Sequence, residues 1–80
     1  MTAYRNKDEV KELLVSLDED LQRIPRYDVF GDSNEESIKD LALCIDELHY
    51  FLDHEEPRDL GTEVGYWLQG KPSSMEDYTQ

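Results

Sequence analysis

Hydrophobic residues recur at helical spacing in the middle of the chain, between Ser33 and Pro57. They step by three and four positions, the period that lines one face of an α helix. The residues on this face are Ile38, Leu41, Ile45, Leu48 and Leu52. Ser33 has the spacing of an N-cap, with Glu36 three residues later to complete a capping box. Because Pro57 disfavours helix at the residue before it, the pattern predicts one long helix over residues 34–56.

The apolar arc of this helix is wide. At about 100° per residue, Cys44 and Phe51 extend it to about half of the circumference, whereas a surface helix usually needs a stripe of about 100°. We therefore expect the helix to contact two neighbours, either both within the chain or one from a second copy. His49 also falls in this arc, and we expect it at the edge of the core with one hydrogen bond.

A second helical pattern precedes it, over residues 7–24. Its apolar positions again step by three and four. They are Val10, Leu13, Leu14, Leu17, Leu21 and Ile24. Asn6 and Glu9 have capping-box spacing at its start, and Pro25 stops it. The sequence therefore predicts a first helix that ends at Ile24.

The connection over residues 25–32 is short enough for the two helices to return antiparallel. It contains Tyr27 and Phe30, which we expect to pack over the mouth of the helix pair. Three nearby residues carry side-chain oxygens that could ligate calcium: Asp28, Asp32 and Asn34. They lack the alternating ligand positions, the glycine and the terminal bidentate Glu of a calcium loop. The spacing therefore argues against a calcium site.

A third, shorter helix is predicted over residues 60–69. Its shared face consists of Leu60, Val64, Trp67 and Leu68. Either Asp59 or Thr62 has the residue type of an N-cap, and Gly70 followed by Lys71 and Pro72 is a stop signal. Gly65 weakens this helix by about 1 kcal/mol relative to alanine.

Trp67 is the only tryptophan. We expect it to close the core because it can bury a large apolar area; the alternative is an exposed binding residue. Residues 71–80 are polar and without periodicity, so we expect a disordered tail. Residues 1–70 then form a single all-α domain, a helical hairpin plus a short third helix in a small three-helix bundle. If the wide arc faces a second copy, two hairpins dimerise into a four-helix-type bundle.

The net charge of the chain limits the classes of partner that it can bind favourably. Its 80 residues include 20 acidic and 8 basic side chains, which gives a net charge of −12. Like charges repel, so nucleic acid and anionic membranes are disfavoured as direct partners, and basic proteins or cations are favoured. The alternatives are that acidity only confers solubility or reflects a salt-adapted origin.

Residue types that carry chemistry are scarce. Cys44 is the single cysteine, which excludes an internal disulfide, and we expect it to be a buried apolar residue. His49 lies five residues from Cys44, a spacing at which the two side chains converge poorly for catalysis. His49 and His54 do not share a helix face as an i, i+4 ligand pair does. We therefore predict no catalytic, cofactor-binding or metal-binding residues and a non-enzymatic protein.

The first residues are polar, and no apolar run approaches the length of a membrane span. We therefore expect no signal peptide at the start, no membrane association and a cytoplasmic protein. A single cysteine fits such a reducing compartment.

The polar side of the central helix is the candidate partner surface. Leu43 and Tyr50 lie there seven residues apart among acidic side chains. They are either two scattered surface residues, which are common, or an anchor pair inside an acidic rim, the layout of a binding patch. The candidate partner-binding residues are Glu36, Asp40, Leu43, Asp46, Glu47, Tyr50 and Asp53.

Charge density bears on the possibility of DNA mimicry. Residues 35–56 span about 33 Å and carry eight acids and one lysine, whereas duplex DNA presents about 20 charges over that length. The helix alone is too sparse to imitate DNA. Mimicry would require a second subunit on the same face or acids of the first helix, namely Glu12, Asp18 and Glu19.

These features favour a small acidic inhibitor or antagonist that docks on a basic protein surface. A nucleic-acid-binding protein or a toxin is a suitable target, as for phage, plasmid or immunity proteins. The alternatives are a structural or regulatory hairpin homodimer, and an adaptor that folds fully only on its partner.

Overall fold

In the computed structural model, residues 4–27 and 29–78 are described. They form three α helices and a final 3-10 helix: α1 (Lys7–Arg23), α2 (Glu35–His54), α3 (Glu63–Leu68) and Ser74–Tyr78. These two ranges contain no β strand, only an isolated bridge between Tyr27 and Ser33. The prediction of an all-α protein is confirmed.

α1 begins at the predicted cap. The Asn6 side-chain oxygen accepts a hydrogen bond from the Glu9 backbone N–H at 2.9 Å, which satisfies one of the free donors of the first turn. Asp8 and Glu9 place negative charge at the positive end of the helix dipole, and Arg23 places positive charge at the other end. Local signals therefore account for both ends of this helix.

α2 begins one residue later than the predicted cap implies. Its N-cap is Asn34, whose side chain makes no capping hydrogen bond to the helix. Ser33 is held in the bridge with Tyr27, and its hydroxyl reaches the Glu35 N–H at 3.1 Å. The predicted capping box of Ser33 with Glu36 is therefore wrong.

Contacts at the two ends of the hairpin show that α1 and α2 run antiparallel. At one end, the Asn34 side-chain amide donates to the Pro25 carbonyl at 3.0 Å. At the other end, Lys7 Nζ lies 3.0 Å from a Glu55 carboxylate oxygen. Glu55 ends α2 in the left-handed conformation, with φ of 59°. Each contact joins the end of one helix to the start of the other.

One apolar core joins all four helical segments. Its buried hydrophobic members are Val10, Leu13, Leu17, Leu41, Leu48, Phe51, Val64, Trp67, Leu68 and Met75. Trp67 is only 1% exposed, so it closes the core as expected. Leu60 instead lies outside α3 and is exposed, because the helix starts at Glu63 with Thr62 as its N-cap.

The buried side of α2 is rotated relative to the predicted one, towards the flank that contains Cys44 and Glu47. Ile45 and Leu52 are only half-buried, and His49 is exposed instead of lying at the edge of the core. The shift arises because α3 packs against this flank of α2 and Met75 of the final 3-10 helix joins the same core, which leaves the opposite flank partly open.

Residues 71–78 differ from the disordered tail that the sequence analysis predicted. Met75 is buried in the core, and a Glu63 carboxylate oxygen accepts a hydrogen bond from the Ser74 N–H at 2.9 Å. Arg5 adds an ion pair with Glu76 at 3.8 Å. A single turn of 3-10 helix with one buried anchor has no helical periodicity, so the pattern did not show it. Residues 79 and 80 of the predicted tail lie outside the described residues.

The connection between α1 and α2 also differs from expectation. Tyr27 and Phe30 are 61% and 86% exposed and do not pack over the helix pair. The mouth is closed instead by backbone and amide contacts at its base, including the hydrogen bond from the Asn34 N–H to the Arg26 carbonyl at 3.0 Å. Asp28, one of the carboxylates considered for calcium, lies outside the described residues.

Candidate protein-binding surface

Six of the seven predicted partner-binding residues lie on one side of α2, which we call the outer face. They are Glu36, Asp40, Leu43, Asp46, Tyr50 and Asp53. At about 100° per residue they fall within an arc of about 140°. From Glu36 to Asp53 the helix rises about 26 Å at 1.5 Å per residue. All are exposed except Tyr50, which is half-buried.

The seventh residue, Glu47, does not lie on the outer face. Its side chain is 4% exposed, and its Oε1 atom accepts a hydrogen bond from the Thr62 hydroxyl at 3.0 Å. Thr62 also caps α3 by accepting from the Gly65 N–H at 3.0 Å. Glu47 therefore links α2 to α3. Glu47 lies at the border of the polar side of α2, where α3 packs. The helical pattern of α2 does not show where α3 packs, so it does not predict this burial.

Leu43 and Tyr50 provide apolar surface in the middle of the outer face. The Leu43 side chain is 49% exposed. The Tyr50 ring stacks on the His54 ring, with centroids 4.0 Å apart and planes inclined by 15°. His54 is fixed in turn, since its Nδ1 lies 3.0 Å from the Tyr50 carbonyl oxygen. The stack holds the tyrosine ring in one orientation, which lowers the entropy lost when a partner contacts it.

Four carboxylates surround this apolar pair. They belong to Glu36, Asp40, Asp46 and Asp53, and none forms an ion pair with a basic side chain in the described ranges. Glu35, in contrast, is paired with Lys39 at 3.4 Å. The outer face therefore has a negative field that the chain itself does not neutralise and that acts over about 8–10 Å at physiological salt.

A groove of about 300 Å³ runs beside the outer face, between α2, α3 and the final 3-10 helix. Asp40, Leu43, Cys44 and Met75 are among the residues that line it. Burial, followed by the charges of Glu47 and Asp40, raises the pKa of the Cys44 thiol. The thiol is therefore protonated at neutral pH, a state that does not favour nucleophilic chemistry.

Val29 and Phe30 are a candidate contact surface that the sequence pattern does not predict. Their neighbours in the connection show no periodicity, and a loop position alone does not tell whether an aromatic side chain folds inwards. The pair is identified by its exposure, because large apolar side chains that are exposed on a loop often mark a contact surface. This exposure can be read only from the structure.

Within residues 4–27 and 29–78, no group of three or more histidine, cysteine or acidic side chains is arranged to hold a metal ion. No helix of this part of the chain has the length and apolarity to cross a membrane. Comparison with known proteins finds no matching family model, no similar curated protein and no similar solved structure.

Proposed function

We propose that this chain is a small acidic protein-binding module that docks on a basic surface of another protein and blocks it. The observation that carries the proposal is the outer face of α2, where four exposed carboxylates, none in an ion pair with another described residue, surround Leu43 and the stacked ring of Tyr50. An apolar centre within a charged rim is the arrangement that protein interfaces use. The small three-helix bundle serves as the rigid support for this face.

Electrostatic attraction raises the rate at which such a module associates with its partner and favours basic partners over others. The net charge of −12 and the unneutralised outer face attract a basic partner before contact, which raises the association rate and makes it sensitive to salt. Leu43 and Tyr50 then lose their water on docking. Suitable targets are the basic active-site cleft of a toxin or the groove of a nucleic-acid-binding protein, which an acidic ligand can occupy directly.

Docking is favoured over imitation of a DNA duplex. The charge of α2 along its axis is already sparser than that of DNA. Two of its carboxylates are committed within the chain, since Glu47 is buried against Thr62 and Glu35 is paired with Lys39. Fewer charges therefore remain for mimicry than the sequence contains.

The test is a pull-down from the native host with the parent chain, at low and at high salt. The variant Asp46→Asn with Asp53→Asn removes two outer-face charges, and Glu12→Gln with Asp18→Asn on α1 removes the same charge elsewhere. We expect the outer-face variant to lose a protein that the parent and the α1 variant both capture at low salt. Equal capture by all three, or capture that does not weaken with salt, would contradict the proposal.

A second function is supported by a different observation, the half-buried flank of the hairpin away from α3. We call it the hairpin edge. It consists of Leu14, Leu21, Ile38, Ala42, Ile45 and Leu52. Pairing of two hairpin edges would bury these side chains in a four-helix-type bundle, so the chain would act as a structural or regulatory homodimer. The outer face of α2 would stay accessible, so the dimer remains compatible with docking.

Sedimentation equilibrium of the purified chain over a range of concentrations tests the dimer. Ile45→Lys introduces a charge on the hairpin edge, and Leu43→Lys is the matched control on the outer face. We expect the parent and the control to dimerise and Ile45→Lys to remain monomeric. A parent chain that stays monomeric at all concentrations would rule out the homodimer and leave the docking proposal standing.

A further inference from the structure

Val29 and Phe30 are the most exposed large apolar side chains among the residues that the structure describes. They are 92% and 86% exposed, and we call them the loop tip. Most loops between helices carry polar residues at such positions. Two adjacent large apolar side chains in water therefore suggest a contact that they make with another molecule.

The base of the connection is held in a defined shape. Tyr27 and Ser33 pair in an antiparallel bridge. Asn34 adds two hydrogen bonds, from its backbone N–H to the Arg26 carbonyl and from its side chain to the Pro25 carbonyl, both at 3.0 Å. These contacts fix the base of the loop, which lowers the backbone entropy that is lost when the tip is bound.

Gly31 completes this shape. Its φ of 85° lies in the left-handed region, which residues with a Cβ adopt at a cost. The glycine turns the chain directly after Phe30 and returns it to the start of α2. A residue with a Cβ at this position would strain the turn, so the loop conformation is built into the sequence.

Acidic residues and a shallow groove lie next to the loop tip. Glu35 and Glu36 begin α2 at the base of the loop, and Glu36 is the first member of the outer face. A groove of about 310 Å³ lies beside the base, lined in part by Arg26, Glu35 and Ile38. The loop tip is therefore an apolar projection next to the same negative field that the outer face presents.

We propose that the loop tip is a hydrophobic anchor that enters an apolar pocket bordered by lysine or arginine side chains on the basic partner. This inference rests on the proposed function, since it names the partner chemistry of the same docking event. Phe30 supplies a rigid aromatic anchor and Val29 extends its apolar area, whereas nearby carboxylates face the basic border. A membrane is the less suitable acceptor because the chain carries a net charge of −12.

A defined probe reproduces the proposed pocket without knowledge of the partner. Per-amino β-cyclodextrin is a small apolar cavity with a border of ammonium groups, and neutral β-cyclodextrin is its uncharged match. In NMR titrations at low salt we expect both to shift the signals of Val29 and Phe30, with the charged probe bound about tenfold more tightly. Phe30→Ser should abolish the effect and Tyr66→Ser, which alters another exposed aromatic, should not. Binding centred on other aromatic residues, or unchanged in Phe30→Ser, would overturn the anchor.

The second experiment uses the partner itself. Benzoylphenylalanine replaces Phe30, or Val15 on α1 as an exposed control position, and photo-cross-linked peptides from the host are identified by mass spectrometry. The identified protein is then purified and its affinity measured. We expect Phe30→Ser to weaken binding at least about tenfold, as for an interface anchor, with the salt dependence unchanged.

The outcomes separate this inference from the proposed function. If the outer-face variant Asp46→Asn with Asp53→Asn weakens binding and Phe30→Ser does not, the anchor is wrong and acidic docking stands. If Phe30→Ser alone weakens binding, the anchor stands and the outer face is not the docking surface. Binding of the parent to phosphatidylcholine vesicles that is lost in Phe30→Ser would overturn the protein pocket in favour of a lipid surface.

Discussion

Thr62 donates its hydroxyl hydrogen to the buried Glu47 carboxylate at 3.0 Å and accepts the Gly65 N–H at 3.0 Å with the same oxygen. One side chain thus satisfies a buried charge on α2 and caps α3. The pair ties the short third helix to the central one, and α3 in turn determines which flank of α2 is covered. Glu47 owes its burial to this link, because a buried carboxylate without a donor is costly.

Thr62→Val should therefore destabilise the domain more than the loss of a helix cap alone. It removes the cap, which is worth about 0.5–2 kcal/mol, and leaves Glu47 without its donor, which costs about 1–3 kcal/mol. We expect a loss of about 2–4 kcal/mol in the free energy of unfolding, measured by urea titration. Thr62→Ser keeps both hydrogen bonds and is the control. Equal losses in the two variants would show that the hydroxyl is not the cause.

Gly65→Ala should destabilise the chain although alanine favours helix. A Cβ at this position would collide with the backbone oxygen of Asp59 and lie 3.0 Å from the Leu60 carbonyl carbon. The loop backbone has to move, at a cost of about 1–3 kcal/mol or more, which outweighs the gain of about 1 kcal/mol in helix propensity. Gly61→Ala meets only the flexible Asp59 side chain at 3.4 Å and is the control. A higher melting temperature for Gly65→Ala would disprove the close approach.

The sequence predicted elements that depend on local signals. Asn6 caps α1 because the cap needs only the residues of one turn, and the all-α class follows from helical periodicity. Trp67 was correctly placed in the core, since a lone large aromatic next to apolar helical positions has few other favourable locations.

Features that depend on contacts distant in the chain were not predicted. The buried flank of α2 is decided by where α3 and Met75 pack, and neither position appears in the periodicity of α2. Glu47 was assigned to the partner surface for this reason. Phe30 is exposed on a loop whose base is held by hydrogen bonds from Asn34, and the residue types do not specify this arrangement.

Leu48→Asp should unfold the domain. Leu48 has 0% exposure, and a carboxylate in an apolar core lacks the donors that would satisfy it. We expect a loss above about 4 kcal/mol, close to the whole stability of so small a domain. Leu43→Asp, which places the same charge on the outer face, should change stability by less than about 0.5 kcal/mol. Circular-dichroism melting measures both. A cooperative parent transition would also contradict an adaptor that folds only on its partner, and identical curves for the two variants would refute the assigned core.

Acid should release the final 3-10 helix. The Ser74 N–H and then the Ser73 hydroxyl hold the pKa of Glu63 below its ordinary value near 4.5. Since the pKa is lowered in the folded chain, this interaction stabilises the fold above pH 4.5 and is lost as the pH falls through the lower folded value. The NMR signal of the Met75 methyl group should then report its exposure. Glu63→Gln should remove this acid-dependent step, and Glu12→Gln should not. A step that persists in Glu63→Gln would assign it to another carboxylate.

Cys44 should react slowly with a thiol reagent, because burial and neighbouring charge both disfavour its thiolate. Burial comes first and the charges of Glu47 and Asp40 follow as causes that raise the thiol pKa above its ordinary value of 9.0, so little thiolate is present at neutral pH. Asp40→Asn removes one of these charges and should increase the rate of modification by dithiobis(nitrobenzoate). Asp46→Asn removes another outer-face charge, which lies on the side of α2 away from the thiol, and should leave the rate unchanged. Met75→Ala should also increase the rate by opening the groove that Met75 and Cys44 line. Because burial is the first cause of the raised thiol pKa, this variant should lower the pH midpoint of the reaction as Asp40→Asn does. Equal rates and midpoints in all the variants would mean that neither the charge of Asp40 nor the packing of Met75 protects the thiol.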